Sequence, residues 1–185
     1  MKVLAGELKG RRLITPPGRT TRPTADHVRI ACLDTLMPYL DRGPFLDLFA
    51  GAGGVGIEAL SRGAPRAVFV EEEARALRAL RENIAGLGLG ERAHVLRADA
   101  LRVLDRLAAA PEERFAVVFL DPPYDSPRAL PVLERLARGD ALRPRAVVVA
   151  QHATRAPLPL AIGALAAWKT RKFGETTLTF LRGPD

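Results

Sequence analysis

The tetrapeptide Asp121-Pro122-Pro123-Tyr124, reached through the apolar run Phe115-Ala116-Val117-Val118-Phe119-Leu120, is the segment of this chain best equipped to do chemistry. Neither proline carries an amide hydrogen and each fixes its own φ, so a strand arriving at Asp121 must stop with carbonyls unpaired. The Asp121 carboxylate and the Pro122 carbonyl can then accept both hydrogens of an exocyclic amine on a flat ring. Tyr124 would stack on that ring, and Pro123 would fix the corner. The same residues could simply end a buried strand with a turn, since aspartate and proline are common turn formers. A second motif weighs against that simpler reading.

Asp47-Leu48-Phe49-Ala50-Gly51-Ala52-Gly53-Gly54-Val55-Gly56 lies between the apolar stretch at Phe45-Leu46 and the helical pattern of Ile57-Glu58-Ala59-Leu60. Gly51, Gly53 and Gly56 have the G-x-G-x-x-G spacing that lets backbone approach a nucleotide-like ligand. Glu71 closes the next strand, Ala67-Val68-Phe69-Val70, 20 residues beyond Gly51, a distance at which an acid reaches ribose hydroxyls. A third strand ends at Asp99-Ala100 and a fourth delivers Asp121. Each acid therefore stands at the C-terminal end of a strand, where open parallel sheets bind ligands. Nicotinamide enzymes share the glycine spacing, and Asp47 separates the two readings. A carboxylate just before the glycines would repel a pyrophosphate, whereas it would attract the ammonium and sulfonium of S-adenosylmethionine. Combined with the Asp121 corner, this reads as methyl transfer to an amine.

Further stretches are Gly6-Glu7-Leu8-Lys9-Gly10-Arg11-Arg12-Leu13, Arg22-Pro23-Thr24 with Asp26, Val28 and Arg29, and the closing Lys172-Phe173-Gly174. In this order, with the glycine motif and Asp121-Pro122-Pro123-Tyr124, they cover nearly the whole chain. The set resembles the bacterial family of 16S (small-subunit) ribosomal RNA guanine-N2 methyltransferases, members of the class I S-adenosylmethionine-dependent methyltransferases. The chain departs from the family pattern at Ile30-Ala31-Cys32-Leu33, where an acid usually follows the arginine and an aromatic holds the fourth place.

The resemblance implies that a guanine N2 amine is methylated, in free 16S rRNA or in the assembling small subunit. It implies a cofactor site in which Glu71 binds the ribose and Gly51, Gly53 and Gly56, with Phe49 in the same loop, admit the methionine portion. Asp47 would help hold the cationic end, and Asp99 with Ala100 would contact the adenine. Guanine's amine donates its lone pair into the ring, so acceptors at Asp121 and Pro122 that hold both hydrogens should favour a more tetrahedral nitrogen. Methyltransferases of DNA adenine N6 or of protein glutamine could use a similar corner, but neither explains the basic N-terminal segment. A nicotinamide oxidoreductase and an inactive RNA-binding protein are the alternatives of other classes.

Charge agrees with a phosphate-bearing partner. The 185 residues carry a net +7, of which +5 falls in residues 1–30 and +2 in residues 166–185, leaving the centre neutral. Basic ends around a neutral core suit an electrostatic footprint for RNA, with Arg11, Arg12, Arg22 and Lys172 as the expected contacts. A solvated basic face, or arginine-rich composition of thermophilic type, is the plainer explanation. A lone Cys32 excludes an internal disulfide, and its four-residue spacing with Val28, Leu36 and Leu40 makes it a core thiol on a helix. His27, His94 and His152 lack metal spacing, so no metal is expected. No apolar run approaches the roughly 20 residues of a membrane span, and Met1-Lys2-Val3-Leu4-Ala5 is too short for a signal peptide. A cytoplasmic location is the expectation.

The elements that position these residues follow from periodicity. Residues 2–22 read as short strands turning at Pro16-Pro17-Gly18, a small basic β appendage over 1–23 ahead of a methyltransferase domain over 24–185. Thr24 is a candidate N-cap for a helix to about Leu40. Strands at 44–48, 66–71, 93–98, 115–121 and 145–151 alternate with helices at 54–62, 73–87, 100–109 and 127–138, and a hairpin at 165–173 and 175–182 turns at Gly174-Glu175. This predicts an α/β fold: a doubly wound, Rossmann-like class I methyltransferase sheet with a C-terminal antiparallel hairpin. In that order the first and fourth strands are neighbours, and the glycine loop and Asp121 open into one crevice.

Overall fold

The computed structural model, which describes residues 1–16, 25–108, 114–123 and 126–183, places helix α1 (Asp26–Leu40) ahead of a regular alternation. The series runs β1 (Phe45–Leu48), α2 (Gly54–Ser61), β2 (Ala67–Glu71), α3 (Ala74–Gly86), β3 (Ala93–Arg97), α4 (Ala100–Ala108), β4 (Phe115–Leu120), α5 (Ala129–Leu136) and β5 (Leu142–Ala153). It closes with β6 (Ala161–Ile162), β7 (Leu165–Phe173) and β8 (Thr176–Arg182). All eight strands form one sheet in the order β3-β2-β1-β4-β5-β8-β7-β6. β1 to β5 are parallel, and β8, β7 and β6 continue antiparallel. This is the doubly wound class I methyltransferase arrangement with its C-terminal hairpin.

Every residue of β1, β2 and β4 is buried, which is why these strands are apolar without alternation: helices cover both faces. On one face Val28, Cys32, Leu36 and Leu40 of α1 pack with Ile57 and Leu60 of α2 and with Leu77 and Leu80 of α3. On the other, Val103, Leu104 and Leu107 of α4 and Val132, Leu133 and Leu136 of α5 cover Leu46 and Leu48. Winding reverses between β1 and β4, which lie side by side with Leu48 opposite Leu120. In sheets of this kind ligands bind beyond the C-terminal ends at such a reversal. No helix among the described residues is long and apolar enough to cross a membrane.

The N-terminal segment differs from its expected short strands. Among the described residues it makes a single antiparallel bridge, Lys2 with Arg12. Around that bridge Val3 N–H bonds to the Arg11 carbonyl, Gly10 N–H to the Val3 carbonyl and Leu13 N–H to the Met1 carbonyl, while Leu4 and Ala5 donate to the Glu58 carboxylate, Leu8 to Ser61 Oγ and Ile14 to Asn83 Oδ1. Val3 and Leu13 are buried against the face that carries α2. Side chains of α2 and α3 thus take up the amides that this short pairing leaves over. Of the expected Pro16-Pro17-Gly18 turn, residues 17 and 18 lie outside the described residues, as do Arg22 and the expected cap Thr24. The hairpin turns at Gly174, whose φ of +60° is the left-handed value that glycine adopts freely.

Candidate active site

The chain turns sharply once β1 ends. Phe49 has φ +63°, in a region that costs a bulky side chain about 1–2 kcal/mol. Strain of this kind clusters at functional sites. The three motif glycines do different work. A Cβ added to Gly51 would meet nothing within 4 Å, so this glycine leaves open space. At Gly53 a Cβ would come within 2.5 Å of Leu80, and at Gly56 within 2.3 Å of Phe69. Those two glycines let α3 and β2 pack closely against the loop. Valine at Gly53 would therefore disturb packing as well as any ligand.

Beneath the loop lies a cluster of carboxyl groups. Asp47, 1% exposed, accepts a hydrogen bond from the Gly56 amide at 2.8 Å. Burial pushes its carboxyl up to about 8, and the charges of Asp121 and Glu71 add to this against the opposing Gly56 bond. Glu71 accepts from the Gly51 amide at 2.8 Å and from Glu73 N–H at 2.7 Å, so it joins the end of β2 to the glycine turn. Asp99 caps α4, accepting from the amides of Leu101 and Arg102, and its other oxygen lies 3.7 Å from Arg128. Ala100 is the buried first residue of that helix.

A carboxyl raised in the native state binds a proton that the unfolded chain releases. Stability owed to Asp47 is therefore fully present below its ordinary 3.8 and is lost as pH rises towards about 8. Asp47→Asn should flatten the pH dependence of stability across that window, as read by urea unfolding at a series of pH values. An unchanged slope would show that Asp47 is ionised in the native protein throughout.

At the end of β4, Asp121 N–H reaches back to the Leu48 carbonyl at 3.4 Å, tying the corner to β1. Gln151 Nε2, at the end of β5, donates to Asp121 Oδ2 at 3.0 Å. Pro122 is buried, Pro123 is exposed, and the Pro123 carbonyl accepts from Ser126 N–H at 2.8 Å. Tyr124 lies outside the described residues. A cavity of about 280 Å³ adjoins this corner, with Asp121 and Gln151 among its polar residues and Pro127, Leu130, Pro157 and Leu158 among its apolar ones. His152 also lines it, but both ring nitrogens are engaged, Nε2 with Thr179 Oγ1 and Nδ1 with the carbonyls of Ala153 and Ala156. Two carbonyls facing Nδ1 make it the protonated nitrogen, so the Thr179 hydroxyl donates to Nε2.

Gln151 was not anticipated from the sequence. The signal was there: it is the first polar residue after Ala146-Val147-Val148-Val149-Ala150, at the same kind of strand end as Glu71 and Asp121.

The basic residues are spread over the molecule. Lys172 is exposed and pairs with Thr177, which lies opposite His152, on the edge of the sheet that carries Asp121. Arg11 donates to the Gly86 carbonyl at 3.0 Å. Gly86 ends α3, which leads back from the end of β2 towards the start of β3, so Arg11 sits near the opposite edge of the sheet. Arg12 is exposed within the Lys2 bridge, and Arg22 lies outside the described residues. Among the described residues no group of three His, Cys, Asp or Glu side chains could hold a metal ion.

With this geometry, the chain matches the family described as conserved hypothetical protein 95 over residues 1–182. The chain belongs to this family. A relative from Bacillus subtilis (strain 168), YlbH, provisionally named an rRNA methyltransferase, is 39% identical over 176 residues, 95% of each chain. The ribosomal RNA small subunit methyltransferase D of Haemophilus influenzae is 33% identical over 159 residues, 85% of this chain and 81% of the relative. Among solved structures, yhhF of Escherichia coli, provisionally titled a methyltransferase, superposes with a TM-score of 0.86 at 27% identity, covering 100% of this chain and 98% of that one. The family's curated relatives thus carry rRNA methyltransferase names on the fold described above.

Proposed function

We propose that this protein transfers a methyl group from S-adenosylmethionine to the exocyclic N2 amine of a guanine in 16S ribosomal RNA. One observation carries the reading: the glycine loop and the Asp121 corner leave adjoining strands side by side, with Leu48 opposite Leu120 and the Asp121 N–H bonded to the Leu48 carbonyl. The residues fit this cofactor. Gly51 leaves open space, and the Glu71 and Asp121 carboxylates at the neighbouring strand ends favour a cationic ligand over a pyrophosphate, with Asp47 able to give up its proton once a cation is bound. Family membership and the rRNA methyltransferase names of the relatives support the substrate class. Calorimetric titration with S-adenosylhomocysteine and with NAD tests the cofactor: binding of the first alone is expected, and binding of NAD alone would make the protein an oxidoreductase.

When bound, S-adenosylmethionine would supply the methyl carbon: its C–S bond would break as the amine lone pair forms the N–C bond, S-adenosylhomocysteine would leave, and the nitrogen's proton would pass to solvent. The chain's own residues prepare the amine. Asp121 and the Pro122 carbonyl accept its two hydrogens, which draws the lone pair out of conjugation and aims it. Gln151 holds the Asp121 carboxylate, and Tyr124 stacks on the base. Glu71 and Gly51 frame the ribose end of the cofactor, Asp47 faces its positive charge from beneath the loop, and Asp99 with Ala100 borders its adenine. No covalent enzyme intermediate is needed; positioning of this kind can supply several kcal/mol of the barrier.

RNA would lie across the edge that exposes Lys172. Neutralising Lys172 should release about one counterion fewer on binding, making the salt slope shallower by about 0.7–0.9. Arg11, turned to the C-terminal carbonyl of α3, serves as the contrast, and Arg11→Gln should change the slope less. Equal slopes for wild type and Lys172→Gln, measured by filter binding across a salt series, would remove Lys172 from the RNA track.

A further inference from the structure

Gln151 is 4% exposed and sits beside Asp121 because β4 and β5 run parallel with Leu120 opposite Ala150. Its carboxamide orientation is fixed by chemistry. Only Nε2 can donate to the Asp121 carboxylate 3.0 Å away, so Oε1 is committed as an acceptor. Among the described residues that oxygen has no hydrogen-bond partner, and it is closed to solvent, so a base reaches it by displacing part of its cover. A buried acceptor left unpaired costs about 1–3 kcal/mol, a debt that calls for a ligand donor. Gln151 lines the same cavity as Asp121 and the Pro122 corner.

We infer that Gln151 is the residue that selects guanine, with Oε1 accepting the N1–H that adjoins the N2 amine held by Asp121 and Pro122. This rests on the guanine-N2 reading above and adds to it the group that reads the base. In guanine the reacting amine and N1–H are both donors, bonded to one ring carbon. Asp121 and Gln151 present a matching pair of acceptors. Adenine and cytosine carry their amines next to a ring nitrogen that is itself an acceptor. Such a base would set acceptor against acceptor at Gln151, leaving two buried lone pairs unpaired. The apolar residues Pro127, Leu130, Pro157 and Leu158 offer no compensating donor, which leaves Ser126 and the already engaged His152 as the other polar side chains of the lining. Gln151 thus contributes twice, orienting the Asp121 carboxylate through Nε2 and testing the base through Oε1.

The test uses 2,6-diaminopurine, which keeps the 2-amine of guanine but has an acceptor at N1. Small-subunit rRNA carrying guanine or 2,6-diaminopurine at the modified position, made by ligation, is offered both free and assembled into particles. Turnover and KM are measured with the full-length protein, and S-adenosylhomocysteine titration checks that each variant is folded. Wild type should prefer guanine roughly ten- to a hundredfold in kcat/KM. Gln151→Met, similar in length and without the acceptor, should slow guanine and bring the ratio close to one. Gln151→Asn, which keeps an amide donor and an amide acceptor on a side chain one methylene shorter, should retain more of the preference than Gln151→Met. A ratio that stays at the wild-type value in Gln151→Met, with N2-methylguanine still formed, overturns the role of Gln151 and leaves the guanine-N2 reading intact. A wild-type product methylated elsewhere than N2 overturns that reading itself.

Discussion

Asp121→Ala should lower turnover by about a hundredfold or more while leaving RNA affinity nearly intact, the usual cost of removing one group that acts mainly in the transition state. The expectation follows from the position of the side chain. Asp121 is anchored to β1 through Leu48 and oriented by Gln151, so its carboxylate is held in place before any amine arrives. Alanine would also release Gln151 Nε2, adding a second buried unpaired group to Oε1. At the neighbouring position, Tyr124→Phe should be mild and Tyr124→Ala severe, because stacking needs the ring and not the hydroxyl. Single-turnover assays at saturating RNA separate chemistry from binding. A loss in Asp121→Ala of only a few-fold would mean that the amine is prepared without this carboxylate.

Glu58→Ala should destabilise the protein by about 3–5 kcal/mol, the range for breaking a buried charged network by removing one partner. Glu58 is fully buried on α2 and accepts from the amides of Leu4 and Ala5, both at 2.8 Å, and from Arg62 Nε at 3.0 Å. Arg29, also fully buried, lies 3.9 Å away with its Nε and Nη1 otherwise unpartnered. Burial holds the Arg29 guanidinium below its ordinary value, and Glu58 is the largest influence opposing that. Alanine would orphan two backbone donors and leave Arg29 with Asp26 and the Lys2 carbonyl alone. Because α2 begins directly after the glycine loop, the same network ties the N-terminal segment to the cofactor side of the crevice. The shift in urea midpoint at constant m-value measures this loss, and a change below about 1 kcal/mol would show that the segment is held by Val3 and Leu13 instead.

The frame of the molecule was legible because each strand end announces itself. Apolar runs ended by Asp47, Glu71 and Asp121 located β1, β2 and β4. The four-residue spacing of Val28, Cys32, Leu36 and Leu40 likewise marked the buried stripe of α1. What periodicity does not carry is where a backbone finds its partners. Residues 1–16 have the composition of short strands, yet beyond one short pairing the amides of Leu4, Ala5, Leu8 and Ile14 are claimed by side chains of α2 and α3 that are distant in sequence. Glu58 reads as one polar residue in an apolar helix, and its burial becomes intelligible only once Arg29, Arg62 and the N-terminal amides surround it. In the glycine motif, spacing alone did not distinguish the open Gly51 from Gly53 and Gly56, whose lack of a side chain admits Leu80 and Phe69. The Asp121 carboxylate was visible as chemistry, whereas its partner Gln151 lies 30 residues on and becomes adjacent only through the parallel pairing of β4 with β5.

Nucleoside analysis of small-subunit rRNA tests the central claim most directly. RNA from cells lacking this gene should lack one N2-methylguanosine that is present in the parent, and the purified protein with labelled S-adenosylmethionine should restore it to RNA or particles from the deleted cells. A missing methyl group on a different base or position, or identical nucleoside profiles in the two strains with no label incorporated by the protein, would contradict the account.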